Sequence, residues 1–541
     1  MPGFCGILSP NGGRETSEAL ERMLSVLRVR GNETRSTFQE GGVALGLLGD
    51  QIDPERDEKL LFDGLNKPSL PFDPEPSMAP FAYAKIKGKR VELARDPLGS
   101  RPLYWIKSNG HFLFASELKS LIASELFVLR PDLEALSFYL SLGYFPLNKT
   151  PFRDVYKVLP GHTLTLTEEG DLINHAYFSL SHTLSQKDES WNQDHLDKLA
   201  KEALDRKGLD PKKTARLSFE SGDRVDIISS FDELTIDPIP FHEIAKELPQ
   251  IVWNLDEPLA SAKIFSFTRL CQKAKEQGYD NIAMSAGSLP WLARHIHRPH
   301  IHSARLRQCG AKALRTILTH PPLSWIPHDR SFAYLRMLST HPWHTQYLTN
   351  QYNLSPKMIR RLSHGHLHAI DPEIIYHSFP PFEKMQASCS SLYYLYQKTS
   401  LINKYLLQYD RIPAAHGINI VCPYLNPGPL EYMAKMPNEQ MGDLFKRVSL
   451  PRRKKPLFAQ TTLFEANEAK RLFSLLKKGV IVDNGLIDPS ALKNVLRLNV
   501  ADPQATRALW TLLILEVWLR IFFEAPKPLK PPEMELEALI R

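Results

Sequence analysis

The stretch DRKGLDPKKTARLSFESGD, residues 205–223, crowds lysines, aspartates and serines between one helix-like and one strand-like segment. The chemistry open to such a join is phosphate binding. A loop running from a strand into a helix can wrap a pyrophosphate with its backbone N–H groups. Glycine is needed there, because the backbone must come close to the ligand. This join supplies only Gly208 and a Pro-Lys-Lys turn ahead of the strand. A second source of chemistry is thiol: Cys5, Cys271, Cys309, Cys389 and Cys422 are few, odd in number and far apart, with no CxxC. That spacing argues against a disulfide framework or a zinc site and fits a reducing compartment. A third is the basic run Arg452-Arg453-Lys454-Lys455. It lacks interleaved aromatics, and the net charge of +7 over 541 residues is mild. Neither favours a nucleic-acid partner.

Elements to position these residues are legible along the chain. Leu196, Leu199, Ala200, Ala203 and Leu204 recur at helical spacing, and residues 214–219 read as a short strand. Residues 1–180 are strand-rich, with FCGILSP, VALGLLG, FAYAKIKG, RVELARD, PLYWIKS and HFLFAS separated by turn residues. Helices are expected over 16–29 and 131–142, the latter after an Arg-Pro-Asp start. Two sheets with helices outside them would bury this pattern. The polar stretch 181–195 reads as a linker. From 196 to 524 the pattern is mostly helical, with strands expected at 214–219, 281–285 and 418–422. The apolar run 508–524 contains Glu516 and Arg520, pairable four residues apart, and is short for a membrane span. It is expected as a buried helix, and no membrane partner is expected. MPGFCGILSPNGGRE has no basic and apolar leader pattern, so a cytoplasmic protein is expected. Residues 525–541, rich in proline and charge, read as a tail.

Four groups of residues carry a resemblance. They are Phe4-Cys5-Gly6-Ile7-Leu8; ARDPLGSRPLYW (94–105) with FASELKSL (114–121); LSLGYFPLNKTPFRDVYKVLPGHTL (140–164); and a set in the second half. That set is LPQIVWNLDEPLAS (248–261), YDRIPAAHGINIVCPYLNPGPLE (409–431), LPRRKKPLF (450–458) and LWTLLILEVWLR (509–520). In this order the chain resembles the asparagine synthetase family of glutamine-dependent class II amidotransferases. The resemblance implies an α/β and α+β protein of two domains. The first, 1–180, would be a glutaminase-like αββα sandwich of the N-terminal-nucleophile hydrolase type. The second, 196–524, would be a mostly helical, nucleotide-α-hydrolase-like synthetase domain. ATP and magnesium are the implied cofactors, and glutamine and an aspartate-like molecule the implied small-molecule partners.

The site residues implied by the resemblance are depleted. Cys5 takes the nucleophile position, where the family uses a free α-amine to move the proton. Four residues precede it, and its amine would be held in a peptide bond, so a buried strand cysteine is expected. Of the family's His-Arg-Gly-Pro-Asp loop, Val29-Arg30-Gly31-Asn32-Glu33 keeps Arg30 and Gly31. Leu47, Leu48 and Gly49 stand where an arginine would grip the substrate carboxylate. Residues 58–80 hold no Asn-Gly-Glu oxyanion loop. Asp96 matches the residue that holds the glutamine amine, and it also suits a turn. For the phosphate loop two placements stay open. Ser221-Gly222-Asp223 is a damaged loop, or, as preferred, the first strand and its loop are deleted and LSFESGD is the second strand. Ala283 to Trp291 supplies no carboxylate for magnesium. Asn419, Val421 and Asn426 stand where the family places Glu, Arg and Asp. Lys455 aligns with a lysine near the reacting phosphates, and a solvated basic run is the other reading.

Loss of charge at both sites with the apolar frame kept points to a pseudoenzyme, a binding or regulatory module with a protein partner or a second copy of itself. The alternative is a divergent active enzyme forming asparagine or another amide from glutamine or free ammonia.

Overall fold

A computed structural model describes residues 2–10, 12–27, 34–64, 80–217, 226–234, 241–289, 291–292, 347–348, 351–378, 389–441, 466–497, 503–524, 530–533 and 535–540. The first half contains two antiparallel sheets. One has the order β2-β3-β1-β8-β7-β9, with β1 at Gly3–Leu8, β2 at Arg35–Glu40, β3 at Val43–Leu48, β7 at Tyr104–Ser108, β8 at His111–Ala115 and β9 at Val155–Lys157. The other runs β11-β10-β6-β5-β4, from Leu172–Ala176, His162–Leu166, Arg90–Arg95 and Phe81–Lys87 to Glu58–Gly64.

Alternation along the strands builds the layers. Phe4, Leu45, Leu47 and Phe114 of the first sheet meet Leu61, Ala84 and Leu93 of the second. The opposite side of β1, with Cys5 and Ile7, packs on helices Arg14–Leu27 and Leu118–Ser124. Helix Arg14–Leu27 presents Ala19, Leu20, Met23, Leu24 and Leu27, an apolar stripe at helical spacing, to that sheet. This layering, two packed sheets with helices outside the first, agrees with the α/β class that the sequence implied.

Helix Leu133–Leu142 starts where the sequence signals a start: the Asp132 carboxylate accepts from the N–H of Ala135 at 3.1 Å. It stops at Gly143, whose φ of 82° suits glycine. A Cβ on Gly143 would stand 3.2 Å from that of Ala260, and Ala260 donates to the Gly143 carbonyl at 2.9 Å. The glycine therefore lets the two halves touch backbone to backbone.

The second half is mostly helical around a parallel four-stranded sheet of order β13-β12-β14-β15. β12 is Thr214–Leu217, β13 Asp232–Glu233, β14 Asn281–Met284 and β15 Asn419–Val421. Helix Pro503–Leu519 is buried along most of its length, and Glu516 inside it accepts from the N–H groups of Val480 and Ile481 and from Arg520. No described helix is long and apolar enough to cross a membrane. Residues 181–195 lie against this half. Trp191 is buried, stacks on Tyr432 at 5.6 Å and donates its indole N–H to the Tyr432 carbonyl.

A buried set of charges joins the halves. Asp256 ends helix Phe241–Leu255 with a left-handed φ of 71°. Its carboxylate accepts from the N–H groups of Leu118 and Lys119, the first turn of a helix that has no side-chain cap of its own. One half thus satisfies the orphan donors of the other. Arg411 reaches Glu117 at 3.0 Å, the Ser116 carbonyl at 2.8 Å and Asp256 at 3.4 Å. Tyr104 donates to Glu257 at 2.7 Å, Lys157 pairs with Glu257 at 2.8 Å, and Arg101 pairs with Asp410 at 2.6 Å. Burial raises the Asp256 carboxyl, opposed by Lys119 and Arg411; burial lowers Lys157, opposed by Glu257.

Removing one member leaves the others charged and dry. Arg411→Met is expected to destabilise the chain by about 3–5 kcal/mol in denaturant titration. A loss within ~0.5 kcal/mol, the range of surface changes, would show that the network is not coupled to folding.

Candidate functional site

Cys5 sits in the middle of β1, opposite Gly46 on β3 and Ala115 on β8. It has no exposed surface, and burial pushes its thiol up to about 12, with Ser120 and Arg35 pulling the other way. Its neighbour Phe4 uses its N–H on the Ser116 hydroxyl at 3.1 Å. A thiol in this setting is a core side chain; the reactive form is the thiolate, which this site disfavours.

Asp96 lies in another layer, in the turn after β6. Its carboxylate accepts from the N–H groups of Phe81, Leu98 and Ser100 at 3.2, 3.0 and 2.9 Å, and from the Ser100 hydroxyl at 3.3 Å. Arg95 closes the same turn by donating to the carbonyls of Arg101 and Val158, each at 2.8 Å. Burial raises Asp96, and these hydrogen bonds hold it down. The carboxylate is occupied by its own turn, the structural use that the Arg-Asp-Pro-Leu-Gly sequence suggested. Leu47 and Leu48 are fully buried, so the position of the expected arginine is core. Arg30 and Lys455 lie outside the described residues, as do Ser221, Gly222 and Asp223.

The parallel sheet corrects the preferred placement of the phosphate loop. β12 lies between β13 and β14, and chain order reverses there. In a doubly wound sheet that reversal marks the central first strand, and ligands bind beyond its carboxyl end. β12 therefore takes the place of the first strand rather than the second among the described strands, and residues 218–225 lie outside the described residues. The strand is kept; what has changed is the sequence after it.

The described part of the implied nucleotide site does not fit magnesium ATP. Beyond β14 the turn Ser285–Ser288 closes on itself, with the N–H of Ser288 on the Ser285 carbonyl at 3.0 Å. Gly287 has a φ of 88°, yet a Cβ there would stand 2.5 Å from a Leu425 methyl, so its face is covered by side chain. The Ser285 and Ser288 hydroxyls are buried without a partner among the described residues. No acidic side chain occurs from Asn281 to Arg294 to hold a cation beside them. Among the described residues no cluster of His, Cys, Asp or Glu is arranged around a metal position.

A different cavity, of about 320 Å³, lies between the halves. Asn419, Val421 and Asn426 all line it, the three positions where the family resemblance implies charge. Arg101 from the first half and Lys207 from the second also face it. Sequence reading assigned no role to Arg101, Lys207, Asp256, Glu257, Asp410 or Arg411. Five of them stand inside the motifs that carried the resemblance; Lys207 stands in the stretch that raised the phosphate question. A charge within an otherwise apolar motif was the available signal.

Comparison with known proteins agrees with these motifs. Residues 78–178 match the glutamine amidotransferase domain family. Over 392 residues the chain is 25% identical to asparagine synthetase [glutamine-hydrolyzing] 1 of Bacillus subtilis, covering 64% of this chain and 60% of that protein. It is 35% identical over 96 residues to asparagine synthetase [glutamine-hydrolyzing] 3 of the same organism, 17% of this chain and 15% of that one. The chain thus matches less than two thirds of either relative. Among solved structures it aligns with glutamine phosphoribosylpyrophosphate amidotransferase from B. subtilis at 11% identity and a TM-score of 0.22, covering 52% of this chain and 80% of that one. That overlap is too low to argue from. Residues 78–178 thus match a glutamine amidotransferase domain, and over a longer stretch the chain is similar to asparagine synthetases.

Proposed function

We propose that this protein is a catalytically silent relative of the asparagine synthetases, its scaffold kept as a binding or regulatory module. The observation that carries the reading is Cys5: a fully buried thiol raised to about 12, its own nitrogen within a strand. Support comes from Asp96, whose acceptor capacity is spent on its turn, and from the Ser285–Ser288 turn with its covered glycine. An amidotransferase needs an exposed thiolate and a proton acceptor; a synthetase needs a cradle for phosphates and their metal. The residues in these places are packing residues.

Purified full-length chain is expected to release no glutamate from glutamine above the rate of its Cys5→Ala variant. It is also expected to show no aspartate-dependent exchange between ATP and pyrophosphate. Exchange that falls when Lys455 is replaced would instead establish the divergent active enzyme, with ammonia or glutamine as nitrogen source.

The Cys5 thiol gives an independent check. In the native protein at pH 8 it is expected to escape iodoacetamide, and to label fully after unfolding. The sign of its pH effect follows from its raised value. The unfolded thiol ionises first, so this contribution is full below pH 9.0 and lost as pH rises toward about 12. Native labelling of Cys5 at the unfolded rate would contradict a core position.

A further inference from the structure

We infer that Lys398 is a nucleophilic amine, an acylation site for small activated acyl groups of the thioester class. The site lies outside both family sites considered above and stands whether or not the protein is catalytic.

Lys398 belongs to the π-helical segment Gln397–Leu406, which continues helix Cys389–Tyr396. A π turn adds a residue to the helical turn, and such turns recur at functional sites. The side chain is half-buried, largely out of water yet open to a small reagent. Its Nζ lies over the Tyr394 ring, 5.8 Å from the centroid, and makes no ion pair or hydrogen bond with any described residue. Other buried lysines are held differently. Lys157 pairs with Glu257 at 2.8 Å, Lys119 lies beside Glu117 and Asp256, and Lys187 donates to the Ser390 hydroxyl and the Ala434 carbonyl.

The titratable groups that face Lys398 bring no negative charge. Lys398 is close enough to His162, at the start of β10, to push its imidazolium down, and His175 of β11 acts on His162 in the same sense. The His162 ring meets the Pro160 carbonyl through Nδ1 at 2.9 Å. Tyr394, on the same helix as Lys398, turns its hydroxyl to that of Ser179. Burial without a counter-charge favours the neutral amine and brings the Lys398 ammonium down to about 8. A free lysine side chain titrates near ~10.4, so at pH 8 the neutral fraction of Lys398 is larger by on the order of a hundredfold.

The neutral nitrogen carries the lone pair that attacks. It adds to the thioester carbonyl carbon; the C–N bond forms, the C–S bond breaks, and the thiolate leaves with the electron pair. The proton shed by nitrogen passes through water to that thiolate. The amide product is uncharged, which suits a place that resists an ammonium.

N,S-diacetylcysteamine, a small acetyl thioester, serves as the probe, with peptide-resolved mass spectrometry of the native full chain. At pH 8 Lys398 is expected to acetylate at least ~tenfold faster than the exposed Lys201, with a rate that levels off above about pH 9. His162→Glu, which brings a carboxylate toward the amine, is expected to slow Lys398 about tenfold at pH 8 and to carry the levelling-off to higher pH, with Lys201 unchanged. The profile of the parent protein carries the test if that variant does not fold. Lys398 acetylating no faster than Lys201 at pH 8, or still gaining rate through about pH 10, would overturn the site.

Discussion

The structure depends on a carboxylate placed where it cannot meet water. Asp256 has no exposed surface, and its oxygens are held by two backbone N–H groups of the other half, with Lys119 and Arg411 beside it. A buried charge of this kind is costly unless every partner is present. Its partners come from helix Leu118–Ser124 and helix Leu407–Ala415, while Asp256 itself follows helix Phe241–Leu255. The positions of these elements are thereby fixed together. Around Asp256, Trp518 donates to its carbonyl at 3.0 Å, and Trp253 and Phe522 stack at 5.5 Å. Apolar packing supplies the bulk of the contact, and the ionic set restricts how the halves can meet.

This constraint explains which motifs survive. ARDPLGSRPLYW, FASELKSL, the Asp-Glu-Pro of residues 256–258 and the Asp-Arg of residues 410–411 all meet at the interface. Their charged members are structural: Arg95 and Asp96 build a turn, Lys157 and Glu257 pair, and Arg101 binds Asp410. A change at any one of them would leave a partner unpaired in the core. By contrast, at Leu47, Leu48, Asn419, Val421 and Asn426, where the resemblance implies charge, no buried polar side-chain atom is left unpaired among the described residues. On the proposed reading, selection for the joint between the halves continued after selection for chemistry ended.

Much of the first half could be read from the sequence because its apolar runs are strands. The helix expected over 16–29 is found at Arg14–Leu27, and the Asp132 cap was visible in its Arg-Pro-Asp context. β2 was missed because RSTFQE lies at a sheet edge and carries no apolar alternation. β11 was missed for the same reason, since all five of its residues are exposed. The placement of β12 failed differently. Its four residues say nothing of their neighbours, and only the parallel pairing with β13 and β14 shows it to be the first strand. The joint was invisible because its partners lie 100 (Lys157 to Glu257) to 309 (Arg101 to Asp410) residues apart in the chain. Local pattern marks each charge as unusual but cannot name what it meets.

The most direct test of the joint is a double-mutant cycle across it, pairing Lys119→Met with Asp256→Asn and measuring unfolding free energies of the four proteins. The account predicts a coupling of about 1–3 kcal/mol, the upper part of the range for residues in contact within one ionic network. A coupling indistinguishable from zero would mean that the halves are held by apolar packing alone, and the constraint placed at the centre of this structure would be wrong.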